Sequence, residues 1–131
     1  MLGGGGPDDH RRSGTILNEL NSPRISTDCS HPLMVSASVI SQARLMVTTD
    51  TGPMHIGFAV RTPVVGLFGT FSPMSTGPYE IPDHLCRVIT IKQEEQISSD
   101  EEKLGESHFR HVSVDRVWGQ VEKMLADKSS T

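Results

Sequence analysis

The sequence predicts an α/β domain built on a parallel β-sheet. Two apolar runs carry that prediction, Leu45-Met46-Val47-Thr48 and Val64-Val65-Gly66-Leu67-Phe68. About fourteen residues separate them, enough for the crossover of a dozen or more residues that parallel strands require. Both runs are nearly all apolar, as expected of strands covered on both faces. An amphipathic stripe of Val114, Val117, Trp118, Val121, Met124 and Leu125 adds a helix.

The bulk numbers agree with a globular domain. The chain has 131 residues, 35% hydrophobic and 21% charged, enough for one domain with a real core. The net charge is −4, with neither a basic patch nor a basic tail, so nucleic acid is not an expected partner. Backbone N–H groups can still bind an anion without side-chain charge. Cys29 and Cys86 are far apart and form no C-x-x-C motif, so a disulfide scaffold or zinc site is not expected and a reducing cytosol fits. No apolar run reaches the ~18 residues of a membrane helix.

Met1-Leu2-Gly3-Gly4-Gly5-Gly6 lacks the regions of a signal peptide and reads as a loop leading to a helix. Such a loop usually follows a strand, and little precedes this one, so the glycines are either a flexible tail or the end of a missing strand. Residues 11–20 suit a short helix weakened by Gly14. Asn21 to Pro32 is rich in turn signals. Leu33 to Ala43 reads as a helix with Leu33, Ala37, Ile40 and Ala43 on one face.

The strand at 45–49 then feeds Asp50-Thr51-Gly52-Pro53-Met54-His55 and a helix from about Pro53 to Val60. Pro63 breaks it before the strand at 64–68. A loop of small residues follows from Gly69 to Tyr79. Arg87 to Ile91 is a third strand, Lys92 to Glu106 a solvated acidic loop, and Ser113 the N-cap of the last helix. Trp118 is expected to pack in the core. His108 and His111 are read as a solvated pair, and His10, Arg11 and Arg12 as an exposed segment.

The chemistry concentrates at the two loops that leave the carboxyl ends of the strands. A helix N-terminus there offers unpaired N–H donors and a positive dipole end to an anion. Gly52 permits close approach or positive φ, Pro53 suits the start of a helix, and Thr51 and His55 add donors. Asp50 would repel a phosphate, so it fits sugar hydroxyls or a helix cap. The hexapeptide by itself fits either a phosphate cradle or a plain N-cap with His55 incidental. Thr70, Ser72, Thr76 and Gly77 on the second loop add donors to the same rim and favour the cradle. G-x-x-x-x-G-K-[ST] is absent, and the glycine run does not fit G-x-G-x-x-G.

Asp50-Thr51-Gly52-Pro53-Met54-His55, then Thr62-Pro63-Val64-Val65-Gly66-Leu67-Phe68-Gly69, then Ser72-Pro73 and Thr76-Gly77-Pro78-Tyr79, resemble glycosyltransferase family 9, the ADP-heptose:lipopolysaccharide heptosyltransferases and their relatives. The likeness is best from Leu33 to Tyr79, and Gly4-Gly5-Gly6-Pro7-Asp8-Asp9 resembles the family's glycine-rich loop ahead of an acidic residue. The resemblance implies a partial, Rossmann-like carboxyl-terminal domain of a two-domain GT-B enzyme. It spans residues 1–126, incomplete at its start, with 127–131 a frayed tail. It implies a nucleotide-diphosphate sugar of the ADP-heptose kind as ligand, no metal or other cofactor, and a role in lipopolysaccharide biosynthesis. The location implied is the cytoplasm or the periphery of the inner membrane.

Carried over, Asp50, Thr51, Gly52, Pro53, Met54 and His55 form the donor's pyrophosphate and sugar site, with Thr70, Thr76 and Gly77 beside it. Asp8 or Asp9 takes the ribose. Gly69-Thr70-Phe71 departs from the family's Gly-Pro-Thr. Arg61 stands where a small residue, often Gly, is usual, and Gly57 where Ala is common. The acceptor domain and general base have no counterpart, so the chain is expected to hold the donor and to need an acceptor domain, in another chain, for turnover. The alternatives are a non-catalytic nucleotide-sugar binding module and an inactive truncated remnant, whose exposed sheet edge would favour oligomers.

Overall fold

The computed structural model describes residues 1–28, 31–69, 73–90, 109 and 112–127. The chain divides into two compact units, Met1–Val39 and Ile40–Thr131.

In the first unit, strand β1 (Leu2–Gly3) pairs in parallel with β2 (Thr27–Asp28), and helix α1 (Pro7–Leu20) lies between them in sequence. The glycines are therefore neither a loose tail nor strandless. Asp9 Oδ2 accepts the N–H groups of Gly5 and Gly6, each at 3.1 Å, and so braces the loop against the helix. A Cβ on Gly4 would fall 2.5 Å from that of Asp9, so the brace needs a glycine there. Pro7 at the helix start and Asp8 and Asp9 in the first turn suit the amino end of a helix, which explains why α1 begins four residues earlier than the periodicity indicates. Asn21 ends α1 in the left-handed region (φ 39°), its N–H donating to Leu17 O. The two-residue β2 inside the turn-rich stretch is too short to show in a hydrophobic pattern.

Helix α2 (Leu33–Ser41) contains no buried residue. Ala37 and Ile40 are half-buried, whereas Leu33 and Ala43 are exposed, so the expected four-residue apolar face is realised only at its centre.

The second unit carries a three-stranded all-parallel sheet in the order β3 (Met46–Thr49), β4 (Val64–Phe68), β5 (Cys86–Thr90). Strand β4 is central, and its alternating side chains feed two cores. Val64 and Phe68 pack with Met54 of helix α3 (Gly52–Ala59), beside half-buried Met46 and Phe58. Val65 packs with Ile89, Val121 and Met124, the latter two from helix α5 (Val114–Asp127). A strand buried on both faces has no polar positions to alternate, and this is why β4 reads as a continuous apolar run. Strand β3 is less covered, with Val47 47% exposed. Burial also pushes the thiol of Cys86 up to about 11. Cys29 lies outside the described residues.

Helix α5 starts as the sequence indicates, with Ser113 Oγ accepting the N–H of Arg116 at 3.2 Å. It extends to Asp127, whose carboxylate meets Arg87 of β5 at 3.3 Å. The stripe is only partly a core stripe. Val117, Val121, Met124 and Leu125 pack inward, but Trp118 is 57% and Val114 81% exposed. These two instead line an open groove with Leu67, Phe109, Val112 and Val117. The acidic stretch and the His108–His111 pair lie outside the described residues, as do 128–131.

After α3 the chain turns through Arg61 at φ 59°, its N–H donating to Phe58 O. That left-handed geometry is the reason a glycine suits the position. Arg61→Gly is expected to raise stability by about 0.5–1 kcal/mol, the relief of left-handed strain less the added freedom of the unfolded chain. A urea titration in which the midpoint fails to rise would refute the strain argument. Gly57 has a steric reason of a different kind. A Cβ there would lie 3.0 Å from Val64 Cγ2, because α3 sits close on β4.

Candidate functional site

The β3–α3 turn and the segment after β4 both leave carboxyl ends of neighbouring parallel strands, so they share one rim of the sheet. Asp50 is held by its own N–H, which donates to Leu67 O at 3.2 Å and extends the β3–β4 ladder by one bond. Helix α3 begins immediately beyond it. Thr51 occupies the N-cap position in extended conformation, yet no side chain caps the helix. Its hydroxyl donates instead to Thr49 O at 3.2 Å. The amino end of α3 thus keeps its electropositive character without a side-chain oxygen upon it.

Around that end the space is open. Gly52 and Pro53 are exposed, and a Cβ built on Gly52 would meet nothing within 4 Å. Of the two roles the sequence allows Gly52, the structure realises the unobstructed approach. His55 lies one turn into the helix with its side chain 56% exposed. Its ring meets Phe58 edge-on, with centroids 6.3 Å apart at 77°. Its Nε2 is 3.9 Å from Asp50 Oδ1, too long for a hydrogen bond but close enough for electrostatic attraction when the imidazole is charged.

The second oxygen of Asp50 is occupied. Thr76, at the end of the short helix α4 (Pro73–Thr76), donates its hydroxyl to Asp50 Oδ2 at 2.5 Å. The side chain of Asp50 is only 13% exposed, so this bond is largely shielded from water. Asp50 is therefore not the helix cap that the sequence left open, but a carboxylate tied to the neighbouring loop.

The remaining candidates separate. Met54 is fully buried between Val64 and Phe68, so its side chain is core and not a ligand contact. Gly77 is buried, and its N–H is taken by Pro73 O at 2.7 Å. A Cβ there would fall 2.0 Å from that oxygen, so glycine is a condition for closing α4. Thr70 lies outside the described residues. In the first unit, Asp9 braces the glycine loop, while Asp8 is exposed and paired with Arg11 at 2.9 Å. Sequence reasoning missed Thr62, which is buried and donates to Ile40 O at 2.7 Å, closing the end of α2. It also missed Tyr79, whose hydroxyl donates to Met74 O at 2.8 Å. The Thr62 bond depends on where the fold brings a carbonyl 22 residues away, and the Tyr79 bond lies within a loop that has no period to read.

The sequence profile of glycosyltransferase family 9 (heptosyltransferase) matches residues 14–105, more than half of the chain and the whole of the β3–α3–β4–α4 rim. The chain belongs to glycosyltransferase family 9. Among curated members, it is 28% identical over 94 residues to the lipopolysaccharide core heptosyltransferase OpsX of Haemophilus influenzae, covering 66% of this chain and 27% of that protein. It is 32% identical over 91 residues to lipopolysaccharide heptosyltransferase 2 of Salmonella typhimurium, covering 66% of this chain and 26% of that one. The chain thus spans about a quarter of the length of these family 9 relatives. The fold agrees. A family 9 glycosyltransferase from Veillonella parvula superposes with a TM-score of 0.75 at 23% identity, over 95% of this chain and 36% of that one. The parallel α/β architecture expected from the sequence is that of the family. No helix among the described residues is long and apolar enough to cross a membrane.

Proposed function

We propose that this chain supplies the donor site of a heptosyltransferase-like enzyme, binding a nucleoside-diphosphate sugar of the ADP-heptose class. The observation that carries the reading is the meeting of Asp50, His55 and Thr76 at the open amino end of α3. In this reading the Gly52 N–H, the positive dipole end of α3 and His55 receive the pyrophosphate, and the bare Cα of Gly52 leaves it room. Asp50 Oδ1 accepts sugar hydroxyls.

The reaction is attack of an acceptor hydroxyl on the anomeric carbon, with the nucleoside diphosphate leaving. Donors already aimed at the pyrophosphate stabilise the charge that grows on it, which is how fixed dipoles lower such a barrier. The acceptor, of lipopolysaccharide type, and the general base belong to the part of the family that this chain does not match. Transfer is therefore proposed for the chain together with an acceptor-binding segment.

Calorimetric titration of the whole chain with ADP, UDP and ADP-heptose tests the reading. Binding of ADP and ADP-heptose, weakened about tenfold by His55→Ala as one charge-assisted hydrogen bond is lost, is the expected result. Silence with every nucleoside diphosphate at millimolar concentration would overturn it.

A further inference from the structure

We infer that Thr76 is a positioning residue, which holds the Asp50 carboxylate away from the amino end of α3 and leaves that end to the ligand's phosphates. The inference rests on the donor-site reading above and reassigns Thr76 within it. A threonine hydroxyl has one proton to donate. Here that proton goes to Asp50 Oδ2 at 2.5 Å, in the range of a short charge-assisted bond, and not to the rim.

The surroundings of Thr76 are built to deliver that one hydroxyl. The Gly77 N–H closes α4 on Pro73 O at 2.7 Å, in a space where a Cβ would lie 2.0 Å from the oxygen. The Tyr79 hydroxyl pins the same turn through Met74 O. Asp50 is fixed from its other side by its N–H on Leu67 O. The bond therefore joins two locally hydrogen-bonded segments 26 residues apart and is shielded by the low exposure of Asp50.

The need for such a tether follows from position. Aspartate is among the best helix-capping residues, and its short side chain readily takes nearby backbone N–H groups. Asp50 stands next to the N-cap of α3, whose cap residue Thr51 has turned its own hydroxyl to Thr49 O. Pro53 has no N–H and that of Met54 is donated to Thr51 O at 3.0 Å, so the Gly52 N–H is the donor within reach of a released Asp50. Released from Thr76, the carboxylate is free to swing onto it and place a negative charge where phosphate must sit. Held by Thr76, it keeps Oδ1 on the His55 side, 3.9 Å from Nε2.

The test is a double-mutant cycle read by calorimetry on the whole chain, with ADP and ADP-heptose as probes. Thr76→Val keeps the shape and removes the hydroxyl, and Thr76→Ser restores it. Thr76→Val is expected to weaken ADP binding about tenfold, and Thr76→Ser to keep it near the wild-type value. Adding Asp50→Ala to Thr76→Val should recover the ADP affinity, because no carboxylate remains to block the helix end. A packing role for Thr76 predicts no such recovery. Equal ADP affinity in wild type and Thr76→Val, or a loss that Asp50→Ala leaves in place, would overturn the inference while the donor site stands. If wild type binds no ADP, both fall together.

Discussion

Phe68→Ala is expected to cost about 3–5 kcal/mol of folding free energy, the range for emptying a buried aromatic site. Phe68 is fully buried at the carboxyl end of β4, clustered with Met54 and Val64, with half-buried Met46 and Phe58 packed against them. Domains of this kind are stable by only about 5–15 kcal/mol, so one such void removes a large share of the total. In urea the midpoint should fall strongly with little change in slope, since the surface exposed on unfolding is nearly the same. The loss should also reach the rim. Met54 is the flexible neighbour best able to fill the void, and it stands in the first turn of α3, one residue before His55. A variant that retains stability within about 1 kcal/mol would show that this cluster is not close-packed.

The second large effect is one of ligand discrimination. Asp50→Asn is expected to weaken ADP-heptose by about ten- to a hundredfold, the worth of hydrogen bonds to a charged acceptor, while ADP binds as well as before or better. The opposite directions follow from charge. Two like charges about 4 Å apart near a protein surface repel by about 4 kcal/mol at an effective dielectric constant of 20, so a carboxylate beside a pyrophosphate is tolerated only if the sugar repays it. Asparagine keeps the shape, can still meet the Thr76 hydroxyl, and removes the charge. Titrations in which ADP loses as much as ADP-heptose would place Asp50 on the phosphates and refute its assignment to the sugar.

Strand β4 shows why much of the second unit is legible in the sequence. Its two faces feed separate cores, so every position is apolar or glycine, and the run stands out between Pro63 and Gly69. The Asp50–His55 hexapeptide is legible because a helix start has local chemistry, namely a glycine, a proline and an extended N-cap. Trp118 and Val114 mark the limit of periodicity. They share the stripe of α5 with Val121 and Met124, yet they line an open groove and remain exposed. A hydrophobic stripe records which face is apolar and not how much of it finds a partner.

By itself the sequence determined the parallel α/β class, the β3–α3–β4 unit, the N-cap of α5 and membership of glycosyltransferase family 9. Each is written in neighbouring residues, in the period of apolar positions or in turn chemistry. Only the tertiary structure decided what those residues touch. It put Met54 in the core, closed Gly77 on Pro73, bent Asp9 onto the glycine loop and brought the Thr76 hydroxyl to Asp50. The reason is the range of the interactions. Propensity and capping act over a few residues, whereas the bond from Thr76 to Asp50 exists only because adjacent parallel strands deliver both loops to one rim.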